Sequence, residues 1–147
     1  MVSPRIGIVS LSSPVGPVEL ERGLARLRAG GLSYVVHPDA LARSFVTAGT
    51  DEQRARSLLD YAFDDAVDVV WCSRGGYGAA RLLPLLAAAT PPGRRPRPKL
   101  LVGYSDVTAL HEYVRNAWGW RTLHAPMVAA GGGPGPTADE WAAVDAA

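Results

Sequence analysis

Apolar and polar residues come in short alternating blocks along the chain, and the blocks have two different periods. Arg5–Leu11 (Arg-Ile-Gly-Ile-Val-Ser-Leu) is a compact apolar run closed by Ser12-Ser13-Pro14, the pattern of a buried strand followed by a turn. Pro17 then opens a segment in which Leu20, Leu24 and Leu27 recur at helical spacing until Gly30-Gly31 stops it. Leu32–Val36 is a second β-rich run, ended by His37-Pro38. Thr50 and Gln53 have the spacing of a capping box, with Leu58, Leu59, Ala62 and Phe63 expected to form the apolar face of the helix behind it. Val67–Cys72 reads as a third strand. It leads into Arg74-Gly75-Gly76-Tyr77-Gly78 and then helix formers from Ala79 to Ala89. A fourth strand is expected over Lys99–Tyr104, a helix from about Asp106 to Trp118, and a short fifth strand over Arg121–His124.

The order is βα repeated, with mostly apolar strands, and no internal repeat is visible. The expected fold is therefore α/β: a mostly parallel sheet flanked by helices in Rossmann- or flavodoxin-like layering. At 147 residues the chain amounts to about one domain. The expected division is an α/β domain over residues 1–130, then a linker built on Gly131-Gly132-Gly133-Pro134-Gly135-Pro136. After it, Thr137 and Glu140 have capping-box spacing, as if 131–147 began something further.

Composition narrows the function classes. Hydrophobic residues at 48% and charged residues at 20% argue against disorder. Fifteen Lys+Arg against 14 Asp+Glu leave a net charge of +1, which removes the usual electrostatic ground for expecting nucleic acid or an anionic membrane as partner. Thr90–Pro98 holds three arginines, but without aromatic interleaving it reads as a solvated connection. No apolar run approaches the roughly 20 residues of a membrane helix, and Ile6–Leu11 is too short for a signal peptide. The single Cys72 makes neither an internal disulfide nor a zinc site, and inside an apolar strand it reads as core. The expectation is a soluble cytoplasmic protein.

In an open α/β sheet, ligands bind beyond the carboxyl ends of the strands. Four unusual loops fall there: Ser12-Ser13-Pro14, Arg74–Gly78, Ser105-Asp106 and His124-Ala125-Pro126. In Gly103-Tyr104-Ser105-Asp106 a serine stands at a strand-to-helix turn, exposed and beside free helix N–H groups, with the Asp106 N–H as the natural oxyanion donor. The pattern departs from Gly-x-Ser-x-Gly, because Val107 takes the last glycine position. Local pattern alone leaves two readings open, since serine and aspartate also favour helix caps. Arg74–Gly78 can bring backbone close to a ligand as an anion cradle or a second oxyanion donor, or can be simply a tight βα turn. It is neither a Gly-x-Gly-x-x-Gly fingerprint nor a P-loop. Tyr77 and Tyr104 flank these turns and could line a pocket or anchor the loops. A base for the serine is not visible. His37 reads as a surface or loop residue, and His111 lies roughly one and two-thirds turns past Ser105, facing elsewhere. Glu112 reads as a solvated charge. His124 is at the right sheet edge but more plausibly orders its loop or contacts substrate. Trp118 and Trp120 are expected to serve packing.

Taken together, Ser12-Ser13-Pro14, Arg74-Gly75-Gly76-Tyr77-Gly78 with Arg81-Leu82-Leu83, Lys99–Leu110 around Gly103-Tyr104-Ser105-Asp106, and His124-Ala125-Pro126-Met127 resemble the N-terminal domain of the LD-carboxypeptidases. These are the serine peptidases that include muramoyltetrapeptide carboxypeptidase and the microcin-immunity peptidases. The resemblance covers about residues 5–130, and Ala125 departs from it where a glycine is common. It implies a cytoplasmic hydrolase of peptidoglycan recycling that removes the terminal D-alanine of a murein tetrapeptide without metal or cofactor. Ser105 would be the nucleophile, with Asp106 and Gly76 forming the oxyanion hole. Arg74, Gly75, Tyr77, Tyr104, Ser13 and His124 would contact a murein or related D-amino-acid-containing peptide. The family's histidine and glutamate belong to a C-terminal domain not included in these 147 residues. The first expectation is therefore an N-terminal piece that is inactive alone. The second is a stand-alone peptide-binding domain or one half of a two-chain enzyme, and the third a small-ligand module using the glycine turn. An apolar face meant for the second domain is expected to make the chain self-associate as a homo-oligomer.

Overall fold

The computed structural model describes residues 4–129. Within them lie five strands: β1 (Arg5–Val9), β2 (Ser33–Val36), β3 (Val69–Cys72), β4 (Leu100–Gly103) and β5 (Arg121–His124). They alternate with helices α1 (Pro17–Ala29), α2 (Asp51–Ala62), α3 (Leu83–Ala89) and α4 (Thr108–Tyr113). Every neighbouring pair of strands is parallel, in the order β2-β1-β3-β4-β5. The expected parallel α/β architecture is what the chain adopts, and the winding reverses between β1 and β3, where such sheets hold ligands.

Register turns the strands' two-residue period into two separate cores. Ile6, Val69 and Leu100 form one rung, and Ile8, Trp71 and Val102 the next. Both rungs face α1, whose Leu20, Leu24 and Leu27 cover them together with Val128 and Ala129. On the other face Val9, Val70, Cys72 and Leu101 meet α2, α3 and α4 through Leu58, Leu86 and Leu110, with Val114 just past the end of α4. The central strands β3 and β4 are buried at every position, whereas the edge strands β2 and β5 are partly exposed. That is why the middle of the sheet reads as continuous hydrophobic sequence. Gly7 allows the Tyr61 ring of α2 to lie directly on β1, because a Cβ there would come within 2.6 Å of the ring.

Several boundaries move for physical reasons. β1 stops at Val9, since Ser10 and Leu11 turn out of the sheet yet stay buried. β3 begins at Val69, and Lys99 and Tyr104 fall outside β4. The Ala79–Ala89 helix divides into a 3-10 turn over Ala79–Leu82 and α3, which has Pro84 in its first turn, where a missing N–H costs nothing. The Asp106–Trp118 helix likewise divides. It starts as a 3-10 turn at Ser105–Val107, continues as α4, and ends in a π turn over Val114–Trp118 that closes on Gly119 at φ +71°.

Two side-chain expectations are corrected. Phe63 does not join the apolar face of α2; it sits at the helix C-cap, exposed, with the Arg94 guanidinium 5.1 Å over its ring. His37 is buried rather than a surface residue: it starts a 3-10 turn at Pro38–Leu41, and its ring is held by Asp60 and Ser57. The Thr90–Pro98 loop is the mostly exposed connection expected, tied down near its end, where Arg97 bonds the Asp65 and Val67 carbonyls and the Asp68 carboxylate. Trp118 and Trp120 do pack, both buried with ring centroids 5.0 Å apart. The Gly131–Pro136 linker and the Thr137 capping box lie outside the described residues, and no helix among those described is long and apolar enough to cross a membrane.

Candidate active site

β4 ends in a sharp change of backbone direction. Tyr104 is extended at φ −151°, and Ser105 follows at φ +64°, one of two non-glycine residues in the left-handed region among those described. Such a conformation costs of order 1–3 kcal/mol for a residue with a side chain. The turn exposes Ser105, and its hydroxyl makes no hydrogen bond to any described residue. Ser105 therefore does not cap the helix that it begins.

Asp106 turns away from the opening and joins the loops. Its Oδ2 accepts from the Ser12 hydroxyl at 2.7 Å and from the Ala79 backbone N–H at 2.9 Å. One carboxylate thus connects the loops after β1, β3 and β4. Ser13 completes the link: its N–H donates to the Gly75 carbonyl (3.3 Å), and its hydroxyl accepts from the Tyr77 N–H (3.1 Å).

The glycine turn lies against the serine. A Cβ on Gly75 would stand 3.2 Å from the Ser105 Cβ and 3.4 Å from its Oγ, and 3.2 Å from the Met127 methyl. Gly76 lies at φ +130°, a conformation side chains rarely adopt, and a Cβ there would collide with Ser13. Two adjacent glycines therefore let bare backbone approach the serine on one side and the β1 loop on the other.

Sequence reasoning missed the group that fixes this turn from behind. Arg54 of α2 is fully buried, and its Nη1 donates at 2.9 Å to both the Leu11 and Gly78 carbonyls. Its other terminal nitrogen pairs with Asp51, whose carboxylate is also held by Arg81 from outside. Hydrogen bonding to Arg81 first, and the charges of both arginines, hold the Asp51 carboxyl below its ordinary range. The available signal was an arginine four positions before Leu58, on the apolar face of the helix.

Ser105 opens onto a cleft of about 660 Å³ whose walls include Pro14, Gly75, Gly76, Tyr104 and Met127. The charged residues of that wall are Arg22, Arg43 and Arg74 against a single carboxylate, Glu19. Arg74 donates to the Pro14 carbonyl at 3.2 Å. Of the other sequence-derived candidates, Tyr77 lines a separate neighbouring hollow with Phe45 and Arg81. His124 is exposed beside Tyr104, ring centroids 5.9 Å apart, and is not part of the cleft wall.

None of the three histidines is hydrogen-bonded to Ser105. His111 is buried, which lowers its affinity for a proton, and its Nε2 has no partner among the described residues. His37 does sit between a serine and an aspartate, but Ser57 is buried and donates to the Gln53 carbonyl, so that set braces α2 and offers no nucleophile. Burial also pushes the Cys72 thiol up to about 12, so it is inert core. No group of three or more potential metal ligands occurs among the described residues.

The fold and the site define an α/β protein that presents a strained, unbonded serine at a strand-to-helix turn, over a glycine-walled cleft. The sequence profile of the LD-carboxypeptidase N-terminal domain matches residues 6–125, and the chain belongs to that family of serine carboxypeptidases. It is 44% identical over 128 residues to a candidate carboxypeptidase of Streptomyces coelicolor, covering 85% of this chain and 41% of that protein. It is 35% identical over 127 residues to the murein tetrapeptide carboxypeptidase of Pseudomonas aeruginosa, covering 86% of this chain and 40% of the other. Among solved structures it superposes on the microcin C7 self-immunity protein MccF bound to aspartyl sulfamoyl adenosine, with TM-score 0.81 and 25% identity over 98% of this chain and 44% of that one. A MccF-like protein from Streptococcus pneumoniae in complex with AMP gives TM-score 0.71 at 30% identity, over 88% of this chain and 39% of that one. The chain thus spans about 40% of the length of the relatives it matches.

Proposed function

We propose that this chain is the nucleophile-bearing half of a serine LD-carboxypeptidase that releases a terminal D-alanine from murein tetrapeptide. The observation that carries the reading is Ser105: it holds a costly φ of +64° while its hydroxyl is left unbonded over the cleft. A fold has little reason to maintain that strain for packing. Membership of the family and the name of the Pseudomonas aeruginosa relative support the choice of reaction.

In this mechanism the Ser105 Oγ attacks the carbonyl carbon of the L–D bond, and its proton passes to a base. The carbonyl oxygen becomes an oxyanion held by the Asp106 N–H and by an N–H of the glycine turn, at Gly76. Collapse breaks the C–N bond, and the D-alanine amine leaves carrying that proton. Water then hydrolyses the acyl-serine. Arg74 takes the carboxylate of the leaving D-alanine, with Gly75, Tyr104 and the Ser13 loop shaping the wall around it. Tyr77, in the neighbouring hollow, and His124, outside the cleft wall, take no part in this step. The base and its orienting carboxylate come from the family's C-terminal domain, with residues 1–130 forming the nucleophile domain and 131–147 a linker and the start of that second domain. Such chemistry belongs to cytoplasmic recycling of peptidoglycan.

The test is D-alanine release from an L,D-tetrapeptide by the 147-residue chain, with and without an added C-terminal half from a relative. The expected result is negligible release alone, release on complementation, and loss of that release by several orders of magnitude in Ser105→Ala. Release by the chain alone, or undiminished release by Ser105→Ala, overturns the assignment.

A further inference from the structure

The loop after β1 reaches the cleft wall with Pro14, whereas Ser12 and Ser13 lie behind that wall. Each of the two serines holds one of the loops in front of it. Ser13 grips the glycine turn on both sides of Gly76. Its N–H donates to the Gly75 carbonyl at 3.3 Å, and its hydroxyl accepts from the Tyr77 N–H at 3.1 Å. Its side chain also occupies the space where a Gly76 Cβ would stand. Ser12 is fully buried and donates to the Asp106 carboxylate at 2.7 Å.

The Gly75 carbonyl and the Gly76 N–H belong to one peptide group, and in a trans peptide they point in opposite directions. A carbonyl held by Ser13 therefore turns the Gly76 N–H off the β1 loop, toward the side on which Gly75 faces Ser105. A Gly-Gly pair does not enforce that orientation. Without Cβ atoms the peptide plane turns over at little cost, and the reversed plane would present an oxygen where an oxyanion must sit. We infer that Ser13 is a positioning residue of the oxyanion hole, locking the Gly75–Gly76 peptide with its N–H toward the opening. Ser12 holds Asp106, the residue of the other donor, and adjacency of the two serines, about 3.8 Å between their Cα atoms, sets the spacing of the donors. This gives Ser13 a role behind the turn in place of peptide contact. The oxyanion role rests on the carboxypeptidase reading; the lock on the peptide plane does not.

Two readouts separate this role from support of the fold. The first is amide relaxation dispersion on the 147-residue chain. Gly76 is expected to be quiet in the unsubstituted protein and in Ser105→Ala, and to enter microsecond-to-millisecond exchange in Ser13→Ala. Ser13→Thr, which keeps the hydroxyl, should restore the quiet amide. Should Ser13→Ala not fold, Ser13→Cys, which keeps the bulk with a weak acceptor, should show the same exchange. The second readout is binding of a peptide boronic acid with boron in place of the scissile carbonyl carbon. The Ser105 Oγ bonds the boron, the hydroxyl proton passes to solvent, and the boron becomes tetrahedral and anionic. Ser13→Ala is expected to weaken this adduct about five- to tenfold, part of the loss that removing a whole donor causes. The uncleaved peptide with its ordinary amide should bind as before, and in the complemented enzyme the loss should fall on kcat and spare KM. A quiet Gly76 in Ser13→Ala, an unweakened adduct, or equal weakening of the boronate and the amide peptide overturns the inference. Exchange at Gly76 in Ser13→Ala, with no tetrahedral boron in the unsubstituted chain, refutes the Ser105 reaction and leaves the lock standing.

Discussion

At the scale of single residues, Ser105 and the glycines that face it are governed by the same constraint, the scarcity of left-handed backbone for residues with a Cβ. Gly76 at φ +130° relieves that constraint by having no side chain, whereas Ser105 at φ +64° bears it. Replacing Ser105 by glycine should therefore raise stability by about 1 kcal/mol in urea unfolding, whereas Ser105→Ala should leave it nearly unchanged. Activity of the complemented enzyme should vanish in both. A loss of stability in Ser105→Gly would mean that the serine supports the fold. Both features were legible beforehand, because a serine between a strand and a helix, and glycines after a strand, are local signals. The alternative of a helix cap was equally local, and only the missing hydrogen bond distinguishes the two.

At the scale of elements, α2 shows how a helix can serve a site it never enters. Thr50 and Gln53 form the expected capping box, with both reciprocal hydrogen bonds present. The next residue, Asp51, then stands in the first turn and binds Arg54 behind it and Arg81 across the loop. Because Arg81 above all holds this carboxyl below its unfolded range, folding favours its ionised form. The stabilisation is full above the ordinary carboxylate pKa of about 4 and is lost as pH falls through the lower folded value. Asp51→Asn should therefore be less stable at neutral pH and show a smaller drop in melting temperature between about pH 5 and pH 3. An unchanged acid limb would exclude Asp51 from the linkage. The helix start was readable from Thr50 and Gln53 alone. The π turn after α4 was not, since it contains no residue forbidden to an α-helix, and Trp118 at its end packs on Tyr113 and Trp120.

At the scale of the whole molecule, the site exists because the β2-β1-β3-β4-β5 order brings the ends of β1, β3 and β4 side by side. Arg54 and Asp106 then fasten those ends from opposite sides. Arg54→Met keeps the bulk but leaves the Leu11 and Gly78 carbonyls without their buried donor. At about 1–3 kcal/mol for each orphaned group, the total loss should be about 3 kcal/mol in urea unfolding, larger than for any exposed arginine. Arg54→Lys should recover little of it, since an ammonium lacks the planar fork. A loss below about 0.5 kcal/mol would show that the loops are held by other contacts.

By itself the sequence determined the alternation of strands and helices, the parallel sheet, and the family through its Arg-Gly-Gly-Tyr-Gly and Gly-Tyr-Ser-Asp motifs. These follow from periodicity and from residues whose backbone demands are local. Tertiary structure alone decided which groups meet across long stretches of chain: Asp106 with Ser12 and Ala79, and Arg54 with Leu11 and Gly78. It also removed His37 from the surface and Phe63 from the core. Burial and partnership depend on the packing of elements that are far apart in sequence, and no window along the chain contains them.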